Sequence, residues 1–164
     1  MKNVKTIISG TLLTIVAVGQ IILSFLLYNE NGNPIVCNIG WIIMWISAIF
    51  GWLPIPTFKK WGKPKGKGYI HTTVLVDRGV YAIVRHPQYL AGMLMGLALP
   101  LIAQHWIVAV LGAIAIFIYY VDTIEEEQST IEKFGEKYEQ YAESVPRVNF
   151  VLGIVRWLRR RGKH

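Results

Sequence analysis

The sequence predicts an all-α integral membrane protein with about four transmembrane helices, a C-terminal helical hairpin among them, and amphipathic or interfacial helices on the cytoplasmic side. Three observations carry that expectation. The 164 residues are 53% hydrophobic and 16% charged, and the mean hydropathy is +0.39, too apolar for an ordinary soluble domain. The apolar residues fall in long runs separated by short polar turns. Beyond the last run the chain turns charged, and its apolar residues recur at helical spacing. A chain of this length reads as one domain, residues 1–164.

Residues 4–28 form the first run, which supplies the roughly 20 residues that a spanning helix needs. Met1-Lys2-Asn3-Val4-Lys5 resembles a signal-peptide n-region. Ser24-Phe25-Leu26-Leu27-Tyr28 offers no small-residue cleavage site, so the span is read as retained. Asn29 to Pro34 is a polar turn, and residues 35–53 are the second span, stopped by Pro54 and Pro56. From Phe58 to Arg85 a basic loop is expected, with Lys59, Lys60, Lys63, Lys65, Lys67, Arg78 and Arg85. Its glycines and prolines argue against a long helix, and the β-branched run from His71 to Val76 reads as extended. Pro87 suits the first turn of a new helix, where its missing N–H costs nothing. Residues 87–103 and 106–122 are the third and fourth spans, with Gln104-His105 as the turn. Each arm is short, roughly 24 Å against a hydrocarbon core of about 30 Å.

In the segment 123–147, Ile124, Ile131, Phe134, Tyr138 and Tyr141 recur as on one face of an amphipathic helix over Thr123 to Ser144. In the tail, residues 148–164, Phe150 to Leu158 is too short to span, and Arg156, Arg159, Arg160 and Arg161 accompany it. A helix lying in the interface, held by anionic headgroups, is the natural reading.

Lys and Arg total 17 against 10 Asp and Glu, a net charge of +7. The basic residues flank apolar spans, so the excess reads as membrane topology and not as nucleic-acid binding. It places both termini and the segments 58–89 and 123–147 on the cytoplasmic side, with Glu30 outside. The lone Cys37 has no partner for an internal disulfide. His71 and His164 lack metal-ligand spacing, so no metal site is expected. No glycine-rich phosphate loop, dinucleotide fingerprint or nucleophile elbow is present.

The residues that can carry chemistry fall in two clusters. Pairing residues across the Gln104-His105 turn puts His86 level with Thr123, so Glu125-Glu126-Glu127 lies within about one helical turn of it. Arg85 and His86 precede a helix start, where free N–H groups and a partial positive charge suit a carboxylate or phosphate. An acidic triplet is ordinarily a solvated helix face. Here it sits beside a basic loop and either pairs with Arg85 and the lysines or holds a ligand cation, with Tyr81 or Tyr89 adding cation–π attraction. Gly92, Gly96 and Gly112, with Ala109, Ala113 and Ala115, are read as close helix packing.

Leu75-Val76-Asp77-Arg78-Gly79-Val80-Tyr81, then Arg85-His86-Pro87-Gln88-Tyr89 and Gly92, resembles the signature of the isoprenylcysteine carboxyl methyltransferase and phospholipid methyltransferase family. Glu126-Glu127, Phe134-Gly135, Tyr138, Tyr141 and Val145-Pro146-Arg147 resemble its second block, except that Gln128-Ser129-Thr130 is polar where the family carries a leucine and that Glu125 precedes the pair. The resemblance implies a membrane methyltransferase using S-adenosylmethionine, with S-adenosylhomocysteine as product. His86, Pro87, Tyr89, Glu126 and Glu127 would hold the methionine end. Leu75, Val76, Gly79 and Tyr81 would line the adenosine side. Arg85 would lie nearest the reacting groups, and Glu126 would accept a proton from an amine acceptor. The acceptor is either a prenylcysteine carboxylate or a phospholipid amine, with a slight lean to a phospholipid or other small lipid. The alternatives are an NADPH-dependent membrane reductase related to sterol reductases and a non-catalytic lipid-binding protein.

Overall fold

A computed structural model describes residues 2–62 and 74–162, with side chains from Ile7 onward. The helices are α1 (Lys2–Leu26), α2 (Pro34–Trp52), α3 (Pro54–Trp61), α4 (Pro87–Ala103), α5 (Trp106–Phe134), α6 (Glu136–Ser144) and α7 (Phe150–Arg161), with a 3₁₀ turn at Gly79–Ala82. Among the described residues there is no strand. Three stretches are long and apolar enough to cross a bilayer: Ile7–Leu26, Pro34–Trp61 and Trp106–Phe134, of 20, 28 and 29 residues. The protein is therefore an all-α integral membrane protein; α4, the remaining expected span, is an apolar helix of 17 residues.

The chain divides into two compact units, residues 1–49 with 90–122, and residues 50–89 with 123–164. In the first unit, Leu99, Ala103 and Val108 form a core against which Leu23, Met44 and Met95 pack. Ile15, Phe25, Ile42, Trp45 and Phe117 stay exposed, as a lipid-facing surface requires. The turns are pinned by side chains. Gln104 adopts a left-handed φ of 50°, and its amide both accepts from the Asn33 N–H at 2.8 Å and donates to the Asn33 carbonyl at 2.7 Å.

One buried polar contact explains a proline inside a helix. Pro100 lies within α4 and lacks an N–H, so the carbonyl four residues earlier, that of Gly96, loses its helical donor. The fully buried Gln20 donates from Nε2 to that carbonyl at 3.0 Å and to the Val108 carbonyl at 3.2 Å. In hydrocarbon, where no water can substitute, such re-satisfaction is what makes the proline tolerable. Gly112 permits the close crossing, because a Cβ there would stand 2.2 Å from the Gly96 oxygen and 2.6 Å from Gln20 Nε2.

In the second unit, Tyr138, Tyr141 and Val145 form a core with Leu75, Phe134 and Ala142 against it. Two expectations are corrected here. The prolines after Trp52 do not open a loop: Pro54 starts α3 instead, since a proline that ends one helix is pre-set for the first turn of the next. The charged segment from Thr123 is not a separate helix, because α5 continues unbroken to Phe134. The change at residue 122 is one of polarity and not of conformation. The break falls at Gly135, whose φ of +57° is costly for any residue with a Cβ, and α6 follows. Val74–Val76, the described end of the expected extended run, belongs to no helix or strand. The rest of the expected extended run, His71 to Thr73, and Lys63, Lys65 and Lys67 lie outside the described residues. The tail forms α7 as expected, its first turn capped by Asn149, whose side chain accepts from the Leu152 N–H at 3.0 Å.

Candidate functional site

The site is built where two irregular segments of the second unit pair through their main chains. The N–H groups of Arg85 and His86 donate to the carbonyls of Pro146 and Arg147, both at 3.1 Å. Pro87 starts α4, so Arg85 and His86 lie just before the helix and their N–H groups are free to make the cross-segment rungs. Upstream, the 3₁₀ turn brings Tyr81 inward, and its carbonyl accepts from the Tyr141 hydroxyl at 2.6 Å. Burial raises the pKa of the Tyr81 and Tyr141 hydroxyls and pushes Tyr138 up to about 12, so all of them remain neutral donors.

Four charged side chains and a histidine meet at this junction. Glu127, with 10% of its side chain exposed, accepts from Arg147 Nη2 at 2.6 Å, Arg85 Nη1 at 3.1 Å and His86 Nε2 at 3.2 Å. Glu126 is 49% exposed and stands 3.7 Å from His86 Nδ1. It also takes a hydrogen bond from Tyr89. Adjacent helix positions point about 100° apart, so Glu127 faces the arginines, Glu126 opens outward, and Glu125 is exposed. Both ring nitrogens of His86 face carboxylates, an arrangement that only the doubly protonated imidazolium satisfies with two donors.

The electrostatics agree with the geometry. Glu125–Glu127 lies beyond the apolar part of α5, which ends near Asp122. Burial disfavours the His86 cation, but hydrogen bonds to Glu126 and Glu127 and their charges outweigh it, so its pKa is raised. Burial likewise opposes ionisation of Glu127; hydrogen bonds from His86 and Arg147 and the charges of both arginines prevail and hold it at about 2. Glu126 is lowered too, its burial overcome by His86 and Tyr89.

Beside this cluster lies a cavity of about 210 Å³. Of the residues expected at the site, Leu75, Val76, Tyr81, Arg85, His86, Pro87, Tyr89 and Glu126 line it. Glu127 and Gly79 do not. Glu127 is the buried counterion behind the wall. Gly79, at φ +62°, lets the backbone pass Thr57, whose Oγ1 a Cβ would meet at 2.9 Å. The lining also includes Phe58, Thr130, Lys133, Phe134, Tyr138 and Tyr141. Phe58 stacks on Tyr81 with centroids 4.8 Å apart at 26°. Sequence reasoning passed over Phe58 because it was assigned to a loop. Thr130 and Lys133 follow Glu126 at helical spacing within the helix expected over Thr123 to Ser144, and that spacing is the signal that places them on the Glu126 side. Among the described residues no set of three His, Cys, Asp or Glu side chains gathers as a metal site would require.

The lining is amphoteric. It offers an aromatic stack at one place, a half-exposed carboxylate at another, and the Arg85, His86 and Lys133 cations. The Arg85 Nε is buried with no hydrogen-bond partner, an orphan donor of a kind that a folded protein rarely leaves unmatched. Such a donor set fits a zwitterion carrying a flat ring.

The family model for phospholipid methyltransferase matches residues 35–137. Among curated proteins, the chain is 34% identical over 85 residues to a protein-S-isoprenylcysteine O-methyltransferase of Mus musculus, covering 51% of this chain and 30% of that one. The human protein of that name aligns with the same identity and coverage. The Schizosaccharomyces pombe one is 30% identical over 74 residues, covering 44% of this chain and 31% of its own. The chain thus spans under a third of the length of these relatives. No solved structure matches.

Proposed function

Since the chain belongs to the phospholipid methyltransferase family, we propose that it is a membrane enzyme that transfers a methyl group from S-adenosylmethionine to a carboxylate borne by a lipid. The observation that carries this reading is the zwitterion-matched cavity beside a histidine locked between two glutamates. The Phe58–Tyr81 stack would hold the adenine face. Glu126 and Tyr89 would hold the ammonium, and the free Arg85 Nε would hold the carboxylate, with the His86 ring orienting Glu126. Leu75, Val76 and Pro87 would close the apolar sides. When bound, the cofactor supplies an electrophilic methyl group on a sulfonium.

The chain's own contribution is alignment and electrostatics more than acid–base chemistry. Methylation of a carboxylate would require no proton to be removed, so the residues around the cavity would have only to hold and orient the two partners. An amine acceptor would arrive as ammonium at neutral pH and need a base. The titratable groups at the site are poorly suited to that task. Glu126 and Glu127 are held low by His86 and their other partners, and both ring nitrogens of His86 already face carboxylates. Arg85 and Lys133 in the lining favour an anionic acceptor instead. A prenylated cysteine carboxylate is one such group, in keeping with relatives named protein-S-isoprenylcysteine O-methyltransferase; a small lipid acid is another. Lys59, Lys60 and Arg78 in the same unit support a cytoplasmic site by the positive-inside rule.

Calorimetric titration with S-adenosylhomocysteine tests the reading, with NADPH in parallel. Micromolar binding of the first ligand, lost in His86→Ala, is expected. Labelled methyl should then reach a prenylated cysteine acid and not phosphatidylethanolamine. Binding of NADPH alone overturns the methyltransferase reading, and labelling of the amine overturns the carboxylate one.

A further inference from the structure

Helix α7 has two opposite faces with different tasks. On its inner face, Gly153 lies against the backbone of the segment leading into Arg85 and His86; a Cβ there would meet the Ile83 oxygen at 2.0 Å. Arg160 Nη2 donates to the Ala82 carbonyl at 2.8 Å, and Arg156 Nη1 to the Glu143 carbonyl at 3.3 Å. At about 100° per residue, Val151, Ile154, Val155 and Leu158 fall on the outer face, and all four are exposed. Arg159 and Arg161 project at its two margins, roughly 80° to either side of the strip.

We propose that this outer face docks on a bilayer surface rich in anionic phospholipid, with Arg159 and Arg161 as the headgroup-binding residues. An apolar strip edged by guanidinium groups on both sides reproduces the layering of a membrane interface, with hydrocarbon below and phosphate at its margin. The charge is one-signed, since α7 contains no acidic residue. Its 12 residues reach about 18 Å, too short to cross. Arg156 and Arg160 are committed to backbone carbonyls; of the marginal pair, Arg161 lies over the Trp157 ring at 4.2 Å, a stacking that leaves its in-plane N–H groups for the headgroups. This docking does not depend on the identity of the cofactor.

The test uses the full chain with Cys37→Ser and Val155→Cys, labelled with a polarity-sensitive fluorophore, in nanodiscs of phosphatidylcholine alone or with added phosphatidylglycerol. The dye should report an apolar surrounding in the anionic discs, and high salt should reverse much of that by screening. Arg159→Gln with Arg161→Gln should lower the seated-to-lifted ratio about 30-fold, about fivefold for each arginine. Salt acts on the labelled chain that keeps both arginines, so a folding defect in the arginine variant cannot imitate the result. Equal emission in both discs, or apolar emission indifferent to salt and to both substitutions, overturns the role of anionic headgroups. Watery emission in every disc overturns docking itself. Each of these outcomes is read without cofactor or methyl acceptor, so failure of the enzymatic reading would leave the result standing.

Discussion

Replacing Glu127 by glutamine keeps the shape of the side chain and removes the charge that three neighbours share. In the parent, that carboxylate holds Arg147 Nη2 at 2.6 Å, Arg85 Nη1 at 3.1 Å and His86 Nε2 at 3.2 Å, with a tenth of its surface exposed. A carboxyl held at about 2 in place of 4.5 is worth about 3 kcal/mol at 1.36 kcal/mol per pH unit, a sum distributed over the three partners. Removing one member of a buried ion pair strands the others and costs about 3–5 kcal/mol in comparable cases. Glu127→Gln should therefore unfold about 6–12 °C lower by scanning fluorimetry in detergent, at about 2–4 °C per kcal/mol. The sign of the pH effect follows from a lowered carboxyl. The stabilisation is fully present above 4.5 and is lost as pH falls toward about 2. The parent should thus lose stability across that acid window, and the variant should lose markedly less. A variant melting with its parent at neutral pH would refute the assignment of Glu127 as the counterion of this cluster.

Other substitutions probe separate parts of the structure. The His86 pKa is raised, so the stability it contributes is full below 6.5 and disappears as pH rises through its folded value; His86→Asn should flatten the alkaline side of a melting-against-pH profile. Phe58→Leu should weaken S-adenosylhomocysteine binding roughly tenfold, a typical loss for one aromatic partner of a base, while Phe58→Trp retains most of it in the same titration. Gly112→Ala places a methyl group 2.2 Å from the Gly96 oxygen and should cost about 1–3 kcal/mol through forced separation of α4 and α5, visible as a lower melting temperature with the His86 site chemistry unchanged.

Much of the helical frame was legible because polarity and backbone punctuation coincide in it. Pro34, Pro87 and the Asn29–Pro34 and Gln104–His105 turns mark helix limits that hydropathy alone also marks. Where the two signals part, the reading failed. At Asp122 the polarity changes but nothing stops the helix, so one continuous α5 reads as a span followed by a separate helix. At Pro54 the punctuation was read as a stop when it also begins α3, which hid Phe58. The closeness of His86 to the Glu pair was legible from helix arithmetic alone. The division of labour between Glu126, open to the cavity, and Glu127, buried behind it, was not. It depends on Arg147, which reaches Glu127 from a segment 20 residues away that no local periodicity connects to it.

The Gln20 amide bears on how the spans come together during synthesis. The carbonyl that Pro100 leaves without a donor is harmless only beside α1, and α1 precedes α4 in the chain. A ribosome therefore delivers the donor before the acceptor that needs it, and the hairpin of α4 and α5 meets a waiting partner. A circular permutant placing α1 after α5 would send the hairpin into lipid with an unmet carbonyl. Such a chain should linger at the translocon or be degraded there, although its finished fold would hold the same contacts.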